Sequence, residues 1–321
     1  MKKNYFQMSA IALMAVFFYS CEKPVLSEDE SDNTENMEKG TGYQVKFQVA
    51  NFEQIPFETA RSVEVKDVCS RISFAVFKMN NDSVVKRNWQ KESDANFGTF
   101  TLKLPAGKYR IVAIAHNGEG TATISTPEKV TFPTADKKVT DTFCYYQEIE
   151  VDGNKTYDMD MKRVVAKVRF VINDPMPRGI TEMNFYYTGG SSTLNATTGY
   201  GNVNSTQYAD FAVTSSMYGK ASSFEFYTFP HEENDYLKLQ VKAFKGNTIF
   251  LNRHWYNIPV SRNQITVYQG NYFSTDDPNK GDDDGGNDKP TPSPDDKGVP
   301  FHLTIADTTW ITKNVSFELG S

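Results

Sequence analysis

A chain of 321 residues and 36.3 kDa exceeds one small module and accommodates two domains of about 100 to 150 residues with their connectors. With 23% charged side chains, 17 Tyr and 23 Phe, the composition is that of a water-exposed folded chain and excludes a multi-span membrane protein. The net charge of -6 is unevenly placed: residues 22–39 carry -5 and residues 276–297 carry another -5. The remainder is nearly neutral, so no basic surface is offered to nucleic acid.

The N-terminus sets the expected compartment. Lys2 and Lys3 precede an apolar run over residues 11–19, and Ser20-Cys21 follows. A basic start, a short apolar stretch and a small residue before the cut describe a secretory signal peptide, and the run is far below the ~20 residues of a bilayer span. Cys21 directly after Ser20 points to a bacterial lipoprotein, cut between the two and acylated on the Cys21 thiol. Phe18-Tyr19-Ser20-Cys21 lacks the Leu and small residue of the commonest lipobox. Residues 21–40 then read as an acidic tether with too few apolar side chains to fold. Cys69 and Cys144 remain; they pair after export in an oxidising compartment, or they are plain core residues.

Further along, alternation dominates. Tyr43, Val45, Phe47 and Val49 interleave with Gln44, Lys46 and Gln48, the period of a strand with one buried face. The same pattern fits residues 100–104 and 237–243. More continuous apolar runs at 109–115 and 164–172 predict central strands covered on both sides. Turn signals at Pro105-Ala106-Gly107, Asn117-Gly118, Asp152-Gly153, Gly189-Gly190 and Gly246-Asn247 separate these runs at short intervals. The expected class is all-β, with one β-sandwich over residues 41–160 and a second over 161–275. Residues 189–219, rich in Gly, Ser, Thr and Asn, predict long loops.

Residues 276–297 hold eight Asp, three Lys and no large apolar side chain. They predict a disordered linker with a flexible span of ~25 Å and a limit of ~75 Å. Asp282-Asp283-Asp284-Gly285 lacks the alternating ligands and closing Glu of a calcium loop. Residues 298–321 are apolar again: Phe301, Leu303 and Ile305 alternate with His302 and Thr304, then Trp310 precedes Val315, Phe317 and Leu319. Two such short strands cannot form a sheet alone. They fold back onto the second domain, or they complete a neighbouring molecule by strand addition, and the long linker before them favours the second.

Chemistry-bearing patterns are sparse. His116, His231, His254 and His302 have no metal-ligand spacing, and no nucleophile or phosphate-loop motif occurs. Asp158 with Asp160, and Glu148 with Glu150, share strand faces in the way of solvated residues. No enzyme, metal or cofactor is expected. His254-Trp255-Tyr256 beside Asn252 suggests a sugar-stacking patch or simple edge packing. This supports an alternative reading, a cell-surface glycan- or peptide-binding lipoprotein.

Leu104-Pro105-Ala106-Gly107-Lys108-Tyr109-Arg110 before an apolar strand is similar to the Pro-Gly-Tyr turn of transthyretin-like sandwiches. With Cys21, the opening Arg163-Val164-Val165-Ala166-Lys167-Val168 and the closing Val267-Tyr268-Gln269-Gly270-Asn271-Tyr272-Phe273, the mature chain resembles the fimbrillin-like subunits of Bacteroidetes-type pili, particularly the minor anchor subunits. The resemblance implies a lipoprotein of the outer membrane, surface-exposed, with two transthyretin-like sandwiches. Its partners would be other fimbrial subunits, joined by C-terminal strand addition, and membrane lipid through Cys21. In shaft and tip subunits a protease cuts after an Arg following the first strand; Arg61 occupies that place, and an uncut Arg61 would mark an anchor.

Overall fold

The computed structural model describes residues 42–52, 64–133 and 139–274, and the backbone of 302–304. The first half contains β1 (Tyr43–Phe52), the short helix α1 (Val65–Val68), β2 (Arg71–Lys78), β3 (Val84–Lys91), β4 (Thr99–Leu104), β5 (Gly107–His116), β6 (Thr123–Thr126), β7 (Lys129–Thr131), β8 (Thr142–Val151) and β9 (Lys155–Arg163). Seven of these strands form one sheet in the order β3-β2-β5-β8-β9-β1-β4. Its two wings meet only where Phe143 and Cys144 of β8 pair with Arg163 and Lys162 of β9, so the sheet rolls over and closes a sandwich on itself.

Period two explains what the sandwich buries. In β1, Val45 and Phe47 are fully buried while Lys46 between them stays half-exposed. Phe47 lies 5.1 Å from Phe74 and 5.3 Å from Tyr157, and Phe74 stacks on Phe100 at 4.6 Å. Ile72, Ile111, Phe143 and Met161 complete this first core.

The second half contains β10 (Ala166–Ile172), β11 (Glu182–Gly190), β12 (Thr193–Asn195), β13 (Tyr200–Gly201), β14 (Ser205–Ala212), β15 (Ser222–Thr228), β16 (Asp235–Lys245), β17 (Thr248–Val260), β18 (Ile265–Gly270) and β19 (His302–Thr304). Two four-stranded sheets, β15-β10-β18-β19 and β14-β11-β16-β17, face each other across a second core. Phe170 is its hub, with Phe185, Trp255, Tyr268 and Tyr272 all within 6.4 Å between ring centres. The β16–β17 hairpin turns through Gly246-Asn247, and Gly246 has φ +57°, a conformation that costs glycine least. The chain is thus all-β, with tandem β-sandwich domains.

Three expectations need correction. Residues 189–219 are not mainly loop: β12, β13 and β14 lie within them. Gly189-Gly190 is not a connecting turn either, but the end of β11 at a register shift, where a side chain on Gly189 would sit 2.3 Å from the Tyr236 carbonyl oxygen. The run at 164–172 is likewise not covered evenly on both sides. Ala166, Val168, Phe170 and Ile172 are buried, whereas Lys167, Arg169 and Val171 between them are half-exposed.

A fourth small sheet, β13-β12-β7-β6, joins the halves, with Leu194 of β12 paired to Val130 of β7. Beneath it lies a third core. Ala75, Phe77, Val112, Ile114 and Cys144 come from the back of the first sheet and meet Val164, Leu194, Phe229, Ile265 and Val267. Arg163 ties the same junction: it grips Asp141 through Nε at 2.8 Å and Nη2 at 3.0 Å, and reaches Asn263 at 3.3 Å.

Candidate functional site

The first candidate feature is β1 and its slot. It is an interior strand, antiparallel to β4 from Tyr43↔Leu104 to Gln48↔Thr99 and parallel to β9 from Val45↔Lys155 to Phe52↔Met161. Both of its backbone edges are therefore occupied, and Val45, Phe47 and Phe52 fill the first core. Removing it would leave a slot lined by Phe74, Phe100 and Tyr157. Arg61 lies outside the described residues, as do Ser20 and Cys21.

The second feature is the edge of β18 turned away from β10. The backbone of His302–Thr304 pairs antiparallel with it, Gln269↔His302, Tyr268↔Leu303 and Val267↔Thr304. Leu303 is therefore placed by its backbone at the edge of the second domain's sheet. Phe301, Ile305, Trp310, Val315, Phe317 and Leu319 lie outside the described residues, together with the 276–297 linker.

The sugar-stacking patch is not formed. Trp255 is 3% exposed and packs against Phe170, Tyr268 and Tyr272 in the second core, while His254 faces out on the opposite side of β17. The expected carboxylate pairs are exposed, and Glu148 lies 3.4 Å from Arg110. Among the described residues no cluster of His, Cys, Asp and Glu is arranged to hold a metal.

Cys69 and Cys144 are free thiols in different cores, Cys69 in the first and Cys144 in the third. Burial pushes both thiols up to about 12, so neither is a thiolate at neutral pH. His116 is fully buried; its Nδ1 accepts the Gly118 amide at 3.0 Å, and its Nε2 finds no partner among the described residues. Burial pushes its pKa down to about 4, and the Arg71 charge adds to the effect.

No curated protein matches the chain in sequence. Among solved structures, it is similar to a candidate adhesin from Bacteroides ovatus at 15% identity and TM-score 0.47, over 67% of this chain and 82% of that one. It is also similar to the fimbrial anchor protein Mfa2 from Porphyromonas gingivalis at 12% identity and TM-score 0.40, over 66% and 82%. A candidate cell adhesion protein from Bacteroides ovatus aligns over 86% of this chain and all of its own, at 12% identity and TM-score 0.44. The family model described as fimbrillin-A associated anchor proteins Mfa1 and Mfa2 matches residues 30–282. That match spans most of the chain and takes in both sandwiches, and the protein belongs to this family of fimbrial anchor proteins.

Proposed function

We propose that the protein is the lipid-anchored base subunit of a surface fimbrium, acylated at Cys21 and exposed at the cell outer membrane. In this reading residues 21–40 are the tether, 41–160 and 161–275 the two sandwiches, with β9 carrying the first on to Arg163, 276–297 the linker and 298–321 the strand donated to the next subunit. The observation that carries it is the place of β1: the first sandwich is complete with its own strand, paired on both edges and buried at Val45 and Phe47. A subunit at the base offers a strand upward and needs none from below, which suits an uncut Arg61. The three-residue pairing of His302–Thr304 with β18 is short enough to exchange for a longer ladder on a partner.

Peptide mass spectrometry of outer membranes and of sheared fibres tests the reading. The expected N-terminus is acylated Cys21, in membranes and at fibre bases; an N-terminus at Ser62 within fibres rejects the anchor role. Deleting residues 299–321 should leave a folded, lipidated protein that no longer nucleates fibres. Normal fibres from that truncation reject strand donation.

A further inference from the structure

The strand β3 has a free edge and differs from the rest of the first sandwich. Among the described residues it is the terminal strand of the seven-stranded sheet, paired only with β2. Six of its eight residues are exposed and none is buried. Trp89 stands out at 51% exposure. Along the same face, two residues to either side, lie Arg87 and Lys91, and Arg71 is directly across from Lys91 on β2. Lys86 adds a fourth cation on the opposite face, across from Val76.

These charges are not neutralised by neighbours. Arg87 donates from Nε to the Ile124 carbonyl and from Nη2 to the Ser125 carbonyl, both at 2.9 Å, and Arg71 donates from Nε to the Gly118 carbonyl at 3.0 Å. Carbonyl oxygens orient a guanidinium while leaving its charge uncompensated. Among the described residues none of Arg71, Lys86, Arg87 and Lys91 forms an ion pair. Glu92 follows Lys91 directly without pairing to it, and Asp94 accepts the Lys91 backbone amide.

A free strand edge is a template for another strand, and lysines on it usually serve to keep such strands away. They repel a second copy of β3, which carries the same three cations, and they attract an acidic chain. An exposed Trp is the opposite of protection, since it offers a large apolar contact at the centre of the cationic row. We propose that β3 is a docking edge for an extended acidic polypeptide segment of a partner protein. The segment adds beside β3 by main-chain hydrogen bonds, its carboxylates meet Arg87, Lys91 and Arg71, and an apolar side chain covers Trp89. This surface is separate from β18 and residues 298–321 and does not depend on their role.

The test uses the full chain and a labelled synthetic peptide in which Glu, Val and Glu stand at alternate positions with Thr between them, so that all three share one face, with the Gln-for-Glu peptide as control. Fluorescence anisotropy should show binding of the Glu peptide that weakens with added salt and is at least about tenfold tighter than the control. Hydrogen exchange should show protection of the Val84–Lys91 amides on binding. Lys91→Glu should weaken binding at least about tenfold, and Trp89→Ala at least about fivefold, both at unchanged thermal stability. Equal affinity for both peptides, or binding without protection of β3, overturns the proposal. If dextran sulfate binds through the same residues and the Glu peptide does not, the surface reads an anionic polysaccharide and the proposal fails.

Discussion

The strands β5 and β10 look alike as apolar runs, yet they occupy different kinds of position. In β5 the odd residues Ile111, Ala113 and Ala115 enter the first core, while Val112 and Ile114 enter the third. In β10 one face enters the second core; on the other, Lys167 and Arg169 extend over Glu225, with Arg169 and Glu225 partly in water. The difference shows that the first sandwich is covered behind its sheet by the joining sheet and by the second domain's first residues. Loss of the third core should therefore be felt in both halves, and loss of the second core in one.

Two substitutions compare the cores directly. Phe229→Ala, in the third core, should cost about 3 to 5 kcal/mol and raise amide exchange in β2 and β5 as well as in β10 and β18. Phe170→Ala should cost a similar amount with the exchange increase confined to the second sandwich. If Phe229→Ala leaves β2 and β5 unchanged, the halves are independent.

A middle-sized effect concerns pH. His116 has its pKa lowered in the folded protein to about 4, against about 6.5 in an unfolded chain. Between these values the unfolded chain binds more protons, so folding stability falls as pH drops from 6.5 and levels off below 4. The loss should total about 3 kcal/mol, read from denaturant midpoints across that window. His116→Gln should flatten the profile; an equally steep profile in the variant assigns the loss to other groups.

The smallest effect belongs to the half-wet face of β10. Glu225→Ala removes its pairing with Arg169 and Lys167, and the loss should stay below about 1 kcal/mol because the carboxylate is partly solvated and screened by salt. A cost several times larger makes that face a buried one.

These contrasts mark what a reader of the chain can see. Alternation at Tyr43-Gln44-Val45-Lys46-Phe47 reports the local pleat, and β1 follows it. The run at 164–172 misleads because Val164 and Val165, which belong to the third core, extend an apolar stretch whose strand proper alternates with Lys167 and Arg169. The Gly189–Gly219 region conceals strands because β12 is held by β7, some sixty residues earlier, and because β14 buries Gln207 and Ala209 instead of large apolar residues. Trp255 reads in sequence as part of an aromatic patch, whereas the pleat turns it inward and His254 outward. The separate burial of Cys69 and Cys144 is a property of layers, which spacing along a chain does not encode. The cationic row of β3 is written plainly in Lys86, Arg87 and Lys91, but its meaning needs the edge position.

The parallel pairing of β1 with β9 also has a mechanical side. Tension between the N-terminal end of β1 and the second domain pulls β1 by its leading end and β9 by its trailing end, along opposite directions of one ladder. All of the hydrogen bonds from Val45↔Lys155 to Phe52↔Met161 then share the load together instead of opening one after another. A peeled ladder fails bond by bond at low force; a sheared one resists until most of its bonds give way at once. The first strand thus makes the protein a clasp whose grip is set by its unfolding rate under load.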